Sequence, residues 1–286
     1  MKFTKMHGIG NDYIYVEHRD WEAAGSPKKP VLVQRLSDRH FGIGGDGVIF
    51  INPSETADFE MEMYNADGSR AEMCGNGIRC VGKYVYDHGL TDQTEITVES
   101  MGKVKVLELH LVDPDKADKM GSRTANSEKG RRTVDTVTVD MGVPEILEEE
   151  FTLEIQGRNY SMTSVSTGNP HAVTFVEDTD SFPVCELGPR FENHPHFPNR
   201  TNTEFIQVLD RKSLKMRVWE RGTGETLACG TGACASAAAA VLKGLCDREV
   251  TIHLLGGDLQ IRLDEESGHV FMTGEAREAF SGEVEV

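Results

Sequence analysis

The chain reads as a strand-rich α+β protein built from two similar halves, and three observations lead there. Short segments rich in β-branched and aromatic residues recur along most of its 286 residues. Two cysteine-glycine turns, each followed by a helical segment, sit in matching surroundings. Hydrophobic content of 38% and charged content of 27% describe a folded globular chain rather than a disordered one.

The repeat is clearest around the cysteines. FEMEMYNADGSRAEMCGNGIRCVGKYVYDHGL and LKMRVWERGTGETLACGTGACASAAAAVLKGL each open on an alternating stretch, residues 59–64 and 214–219, that reads as a half-buried strand. Each cysteine stands ten residues after the last aromatic of that strand and fifteen before a closing glycine, Gly89 or Gly244. Upstream, GIGNDYIYV (8–16) and STGNPHAVTFV (166–176) both place Gly-Asn ahead of an apolar strand. GDGVIFI (45–51) and NTEFIQV (202–208) are again polar turns feeding strands. Three matched elements in one order imply two halves with a pseudo-twofold relation.

Further strands are expected in VKVLELHLV, TVTVDMG, FTLEIQG, SMTSVS, VTIHLLG and LQIRL, with main helices near 77–88 and 232–243. Residues Ala235 to Ala240 are small on every side, which suits a helix closely enclosed by sheet. The first half runs to about residue 130 and the second starts near 134, across the polar stretch 113–132, which reads as a long loop.

Bulk charge narrows the function. Thirty basic against 47 acidic residues leave a net −17, a field that repels nucleic acid and anionic membranes. The N-terminal twenty residues are broken by glycine and charge, and no apolar run reaches the length of a membrane span, so a cytoplasmic location is expected. Six cysteines are sparse for a disulfide scaffold and lack the CxxC zinc spacing; no metal is expected. His194 and His196 around Pro195 read as an exposed loop. The GxGxxG from Gly42 to Gly47 precedes a strand instead of following one, which excludes a Rossmann reading.

A lone CGxG could be core filler at a turn, because cysteine and glycine are common in both places. Two copies at equal offsets favour chemistry. The first N–H groups of a helix lack internal partners and its dipole is positive there, so a thiolate pKa below that of ordinary cysteine is expected for at least one of the pair. Gly75, Gly77, Gly230 and Gly232 leave the backbone open to a carboxylate. Cys80, Cys185, Cys234 and Cys246 lack the turn and are expected to pack. A His171 counterpart is missing from the first half, so a duplicated Cys–His pair is unsupported. Two equivalent thiols suit acid–base work on one carbon: one removes a proton, the other returns one from the opposite face, and the centre inverts.

These motifs are similar to those of the diaminopimelate epimerase family. The resemblance runs through MHGIGNDYIYV (6–16), FGIGGDG (41–47), YNADGSRAEMCGNGIRC (64–80), STGNPHAV (166–173), NRTNTEFIQV (199–208) and WERGTGETLACGTGACA (219–235). It implies a cofactor-independent isomerase of lysine and peptidoglycan precursor biosynthesis that interconverts LL- and meso-diaminopimelate. By that resemblance Cys74 and Cys229 are the acid/base pair, and Gly75, Asn76, Gly230 and Thr231 hold the reacting carboxylate. Asn11, Asn65, Asn169, Asn202, Glu220 and Arg221 bind the substrate, with His171 as a helper. Some members carry glutamine where this chain has Gly47, which leaves one contact unfilled. The implied fold is two domains, 1–132 completed by 272–286 and 133–271, each a curled, antiparallel-rich sheet wrapped around a central helix. The resemblance also implies a small diamino dicarboxylic acid as substrate; the oligomeric state stays open, a homodimer among the options. Competing readings are a related cofactor-independent amino-acid racemase, a thiol redox protein, which would turn over by disulfide exchange, and a non-catalytic amino-acid-binding module.

Overall fold

The computed structural model describes residues 1–71, 73–113, 115–116 and 132–286. The chain divides into two compact units, Met1–Val139 with Gly274–Val286, and Asp140–Thr273. The polar stretch expected as a loop at 113–132 lies mostly outside the described residues.

In the first unit β1 (Lys2–Gly8) pairs antiparallel with β2 (Asn11–Glu17) and with the last strand of the chain, Arg277–Glu283. Next, β2 runs parallel to β3 (Gly47–Asn52), β3 antiparallel to β4 (Phe59–Asn65), and β4 parallel to β5 (Glu95–Ser100). The sheet continues antiparallel through β6 (Lys103–Val112) to β7 (Thr133–Gly142). The parallel steps need long connections. Between β2 and β3 lie α1 (His18–Ala23) and α2 (Lys29–Ser37), and between β4 and β5 lies α3 (Gly75–Asp87).

The second unit repeats this order of strand senses. Here β8 (Glu145–Ile155), β9 (Arg158–Ser166) and β10 (Pro170–Phe175) are successively antiparallel. Then β10 runs parallel to β11 (Asn202–Asp210), β11 antiparallel to β12 (Ser213–Glu220), and β12 parallel to β14 (Glu249–Leu254), after the two-residue β13 (Gly224–Glu225). Strand β14 pairs antiparallel with β15 (Gly257–Leu263). Helices α4 (Val184–Glu192) and α5 (Gly230–Leu242) occupy the places of α2 and α3.

Helices α3 and α5 are the inner ones. All thirteen residues of α3 are buried, against β1, β2 and β6. Ten of the thirteen in α5 are buried, against β9, β10, β11, β14 and β15. The alanines of α5 let several strands approach at once, and the hydroxyl of Ser236 is satisfied by Gly232 O at 2.7 Å. In α3, which carries larger residues, Lys83 is fully buried and donates to Asp87 Oδ2 at 2.7 Å and Val134 O at 2.6 Å. Both helices start two residues earlier than expected, because Gly75 and Gly230 already have helical backbone.

Three helices escaped the sequence reading. Helix α1 buries no side chain and so carries no apolar period. In α2 the sequence KPVLVQRLS opens on proline and is only half covered. Helix α4 contains Gly188 and Pro189, both ordinarily breakers. Gly188 is required there, since a Cβ would lie 2.4 Å from the Trp219 ring. Among the described residues no helix is long and apolar enough to cross a membrane.

Close packing of α5 makes it intolerant of bulk. Ala237→Leu is expected to lower the unfolding free energy by about 1–3 kcal/mol, measured by urea denaturation, because Ala237 is fully covered and the larger side chain must displace its neighbours.

Candidate functional site

In the first unit the site grows from the N-terminus of α3. Cys74 is its N-cap, with extended backbone at φ −121° and ψ 114°, and its Sγ accepts the N–H of Gly77 at 3.3 Å. That replaces the oxygen of an ordinary capping side chain by sulfur. The Cys74 thiol also donates to Asn11 Oδ1 at 3.0 Å. Asn11, the first residue of β2, donates from Nδ2 to Asp46 Oδ2 at 2.7 Å, so its amide is oriented from behind. Asp46 is in turn held by Arg39 at 2.9 Å, and Arg39 reaches Asp12 at 2.7 Å. Gly75 and Asn76 form the first turn of α3 and are buried. Asn65 is exposed at the end of β4 and donates to Ser69 Oγ at 3.1 Å.

Gly47 has a structural reason. A Cβ at this position would lie 2.0 Å from Tyr64 O and 2.9 Å from the Tyr13 ring. The backbone of β4 therefore occupies the space a side chain needs, and no side-chain contact is left waiting at residue 47 in this arrangement.

In the second unit Cys229 caps α5 in the same manner, at φ −129° and ψ 109°, with Sγ accepting from Gly232 N at 3.4 Å. Thr231 Oγ1 lies 3.5 Å from that sulfur and 3.5 Å from Asn169 Nδ2. Asn169 Oδ1 is 3.0 Å from His171 Nε2, and His171 Nδ1 is 2.6 Å from Glu204 Oε1. Asn169, His171, Thr231 and Cys229 thus form one polar chain. Glu220 at the end of β12 accepts from the Thr226 hydroxyl. Burial, reinforced by the neighbouring Glu204 charge, pushes its carboxyl up.

Asn202 and Arg221 stand slightly apart. The Asn202 amide donates to Pro170 O at 2.8 Å and accepts from Arg221 N at 2.9 Å, bracing β10 against the turn after β12. The Arg221 side chain is exposed and reaches Asn199 O at 3.4 Å. Gly230 opens α5 and is buried.

One expectation needs correction, and another is narrowed. The low thiolate pKa expected for at least one of the pair is not at Cys229: burial at 5% exposure, followed by the carboxylates of Glu220 and Glu204, pushes that thiol well above the ordinary range. The favourable helix N-terminus is outweighed there. Cys185 does not pack in the core but is exposed, with its thiol donating to Glu225 Oε2 at 3.1 Å. Cys80, Cys234 and Cys246 are buried. His196 is exposed and contacts Glu148 at 2.8 Å.

Sequence reasoning missed Asp46 and Glu204. Each carried a signal: Asp46 lies in the glycine-rich turn, and Glu204 is a carboxylate inside the apolar strand NTEFIQV. His171, Glu204 and Cys229 each bring a potential ligand atom within 4.8 Å of the others, the one such cluster among the described residues. The direct 2.6 Å contact between His171 and Glu204 is a hydrogen bond, shorter than the spacing of two ligands around a common metal.

The sequence and the fold both have known counterparts. The family model described as diaminopimelate epimerase matches residues 3–125 and 163–278. A diaminopimelate epimerase from Acetivibrio thermocellus is 50% identical over 298 residues, covering 100% of this chain and 99% of its own. One from Methanococcus maripaludis is 48% identical, covering 100% of both. Among solved structures, a Bacillus anthracis phenazine biosynthesis protein of the PhzF family has a TM-score of 0.73 at 17% identity, covering 100% of this chain and 99% of its own. A hydroxyproline epimerase from Agrobacterium vitis has a TM-score of 0.68 at 14% identity, covering 99% and 90%. These two share the fold.

Two outcomes follow from the geometry. Alkylation of Cys229 by iodoacetamide, followed by mass spectrometry of its peptide, is expected to reach half-maximal rate above the ordinary cysteine pKa of about 8.5. The sign follows from burial and two carboxylates, both of which oppose the thiolate. Gly47→Gln is expected to cost about 1–3 kcal/mol in urea denaturation rather than tighten substrate binding, because the side chain meets the Tyr64 carbonyl.

Proposed function

The chain belongs to the diaminopimelate epimerase family, and from that premise we propose that Cys74 and Cys229 are the acid–base pair that inverts one α-carbon of diaminopimelate. The protein is an isomerase of lysine biosynthesis. One observation carries the assignment of residues: each cysteine caps an inner helix and accepts the N–H three residues on, at the same place in each unit. No other cysteine among the described residues is a helix N-cap.

The reaction moves one proton each way. A thiolate takes the α-hydrogen and becomes a thiol; the pair of electrons left on carbon takes a proton from the other thiol, which becomes the thiolate. Atoms and charge balance, and the reverse direction exchanges the roles. Because Cys229 is held neutral, it is the proton donor in the direction that starts from a Cys74 thiolate.

An α-hydrogen beside a carboxylate is a weak acid, so the developing charge needs support. The N–H groups of Gly75 and Asn76, and of Gly230 and Thr231, lie in first helical turns where the dipole is positive. They suit the carboxylate at the reacting carbon. Asn11 and Asn169, each oriented by a neighbour, present amides that both donate and accept. The distal ammonium and carboxylate fall to Glu220 and Arg221, whose charges are complementary to them, and to the amides of Asn65 and Asn202, which both donate and accept. LL- and meso-diaminopimelate are the substrate pair.

The test is incubation of the reduced protein with LL-diaminopimelate in deuterated water. Meso product carrying deuterium at the inverted carbon is expected. Cys74→Ser and Cys229→Ser should each reduce kcat by about 10²–10⁴-fold while keeping the wild-type circular dichroism spectrum. Inversion at the normal rate by either variant would overturn the two-cysteine assignment.

A further inference from the structure

The two units match closely enough for their departures to be read one by one. In the first, the parallel ladder pairs Tyr13 with Gly47 and Tyr15 with Ile49. In the second, the equivalent ladder pairs His171 with Asn202 and Val173 with Glu204. Ile49 precedes Cys74 by 25 residues and Glu204 precedes Cys229 by 25. Packing preserves the equivalence. A Cβ on Gly77 would meet the Ile49 methyl at 2.8 Å, and one on Gly232 would meet Glu204 Oε1 at 2.6 Å. The same glycine, three residues after each cysteine, lies over the same strand position. In one unit that position is hydrocarbon; in the other it is a carboxylate.

Glu204 is an expensive residue to keep. Its side chain and that of His171 are both fully buried. Oε1 meets His171 Nδ1 at 2.6 Å, while Oε2 has no hydrogen-bond partner among the described residues. Burying such a group costs free energy unless it is fully paired, and an isoleucine fits the matching place without that cost. The contacts of His171 show what is obtained. Its two ring nitrogens face Glu204 Oε1 and Asn169 Oδ1, so the ring is gripped from one side and aimed from the other.

We propose that Glu204 is a positioning residue specific to the Cys229 half of the site: it locks the His171 ring against Asn169 and places a negative charge under the first turn of α5, making the two cysteines chemically unequal. The inference rests on the acid–base assignment of Cys229 above. The groups facing Glu204 are His171 from β10, Glu220 from β12, and Cys229 with Gly232 from the start of α5. Of these, Glu220 and Cys229 feel its charge directly. His171 transmits its position.

Glu204→Gln tests this, because the amide keeps the shape and an acceptor for His171 Nδ1 but removes the charge. Turnover in the diaminopimelate assay is expected to fall by about 10- to 100-fold, the range typical when a group that orients a functional histidine is removed. The half-maximal pH for Cys229 alkylation should also fall, by about one unit, since a nearby negative charge disfavouring the thiolate is gone. In a double-mutant cycle, Glu204→Gln with His171→Gln should be no slower than His171→Gln alone. Unchanged turnover, or slower turnover with the Cys229 alkylation midpoint unmoved, would overturn the proposal; the latter outcome would mark Glu204 as packing only. Cys229→Ser run beside it separates the two claims. If that variant still inverts substrate, the acid–base assignment fails; if it is inactive while Glu204→Gln is normal, only the role of Glu204 fails.

Discussion

A helix buried inside a sheet cannot leave its first N–H groups to water, and in both units that constraint is met by sulfur. Cys74 and Cys229 accept the third N–H of their helices, so the capping atom and the proposed acid–base atom are one and the same. The rest of the site follows from it. Glycines must occupy the first turn, because strand side chains press against it, at Ile49 in one unit and Glu204 in the other. The N–H groups that remain are then available to an anion in surroundings where few waters compete.

Burial works against this arrangement as well as for it. A helix N-terminus alone favours thiolate, but enclosing the sulfur removes solvent that would stabilise the charge. At Cys229 the enclosure wins, helped by two carboxylates. Two helices of equal length, capped alike, stand over different strand side chains, Ile49 in one unit and Glu204 in the other.

Much of this was legible in the chain, for identifiable reasons. The alternating stretches at 59–64 and 214–219 became β4 and β12 because a half-covered strand must alternate. The small-sided run at Ala235–Ala240 became an enclosed helix because side chains that short let several strands approach it together. Helices α1, α2 and α4 were not legible: α1 buries no side chain, and in α2 and α4 the apolar period is short or interrupted, with support from packing beside the sheet, as when Gly188 receives the Trp219 ring. At the site, equal offsets exposed the cysteines, while Glu204 stayed hidden because its partner His171 is 33 residues away on another strand. The meaning of Gly47 was hidden similarly, since the Tyr64 carbonyl that excludes a side chain arrives through strand pairing.

Local order along the chain thus determined which atoms cap the inner helices: a cysteine, a glycine turn and a helix are contiguous, and their geometry is set within a few residues. Tertiary structure alone decided how those atoms are tuned. The pairing of Arg277–Glu283 with β1, the descent of a carboxylate beneath Gly232, and the loss of solvent around Cys229 all join segments far apart in sequence. Electric fields and desolvation depend on distances through space, and those distances exist only once the sheets have closed around their helices.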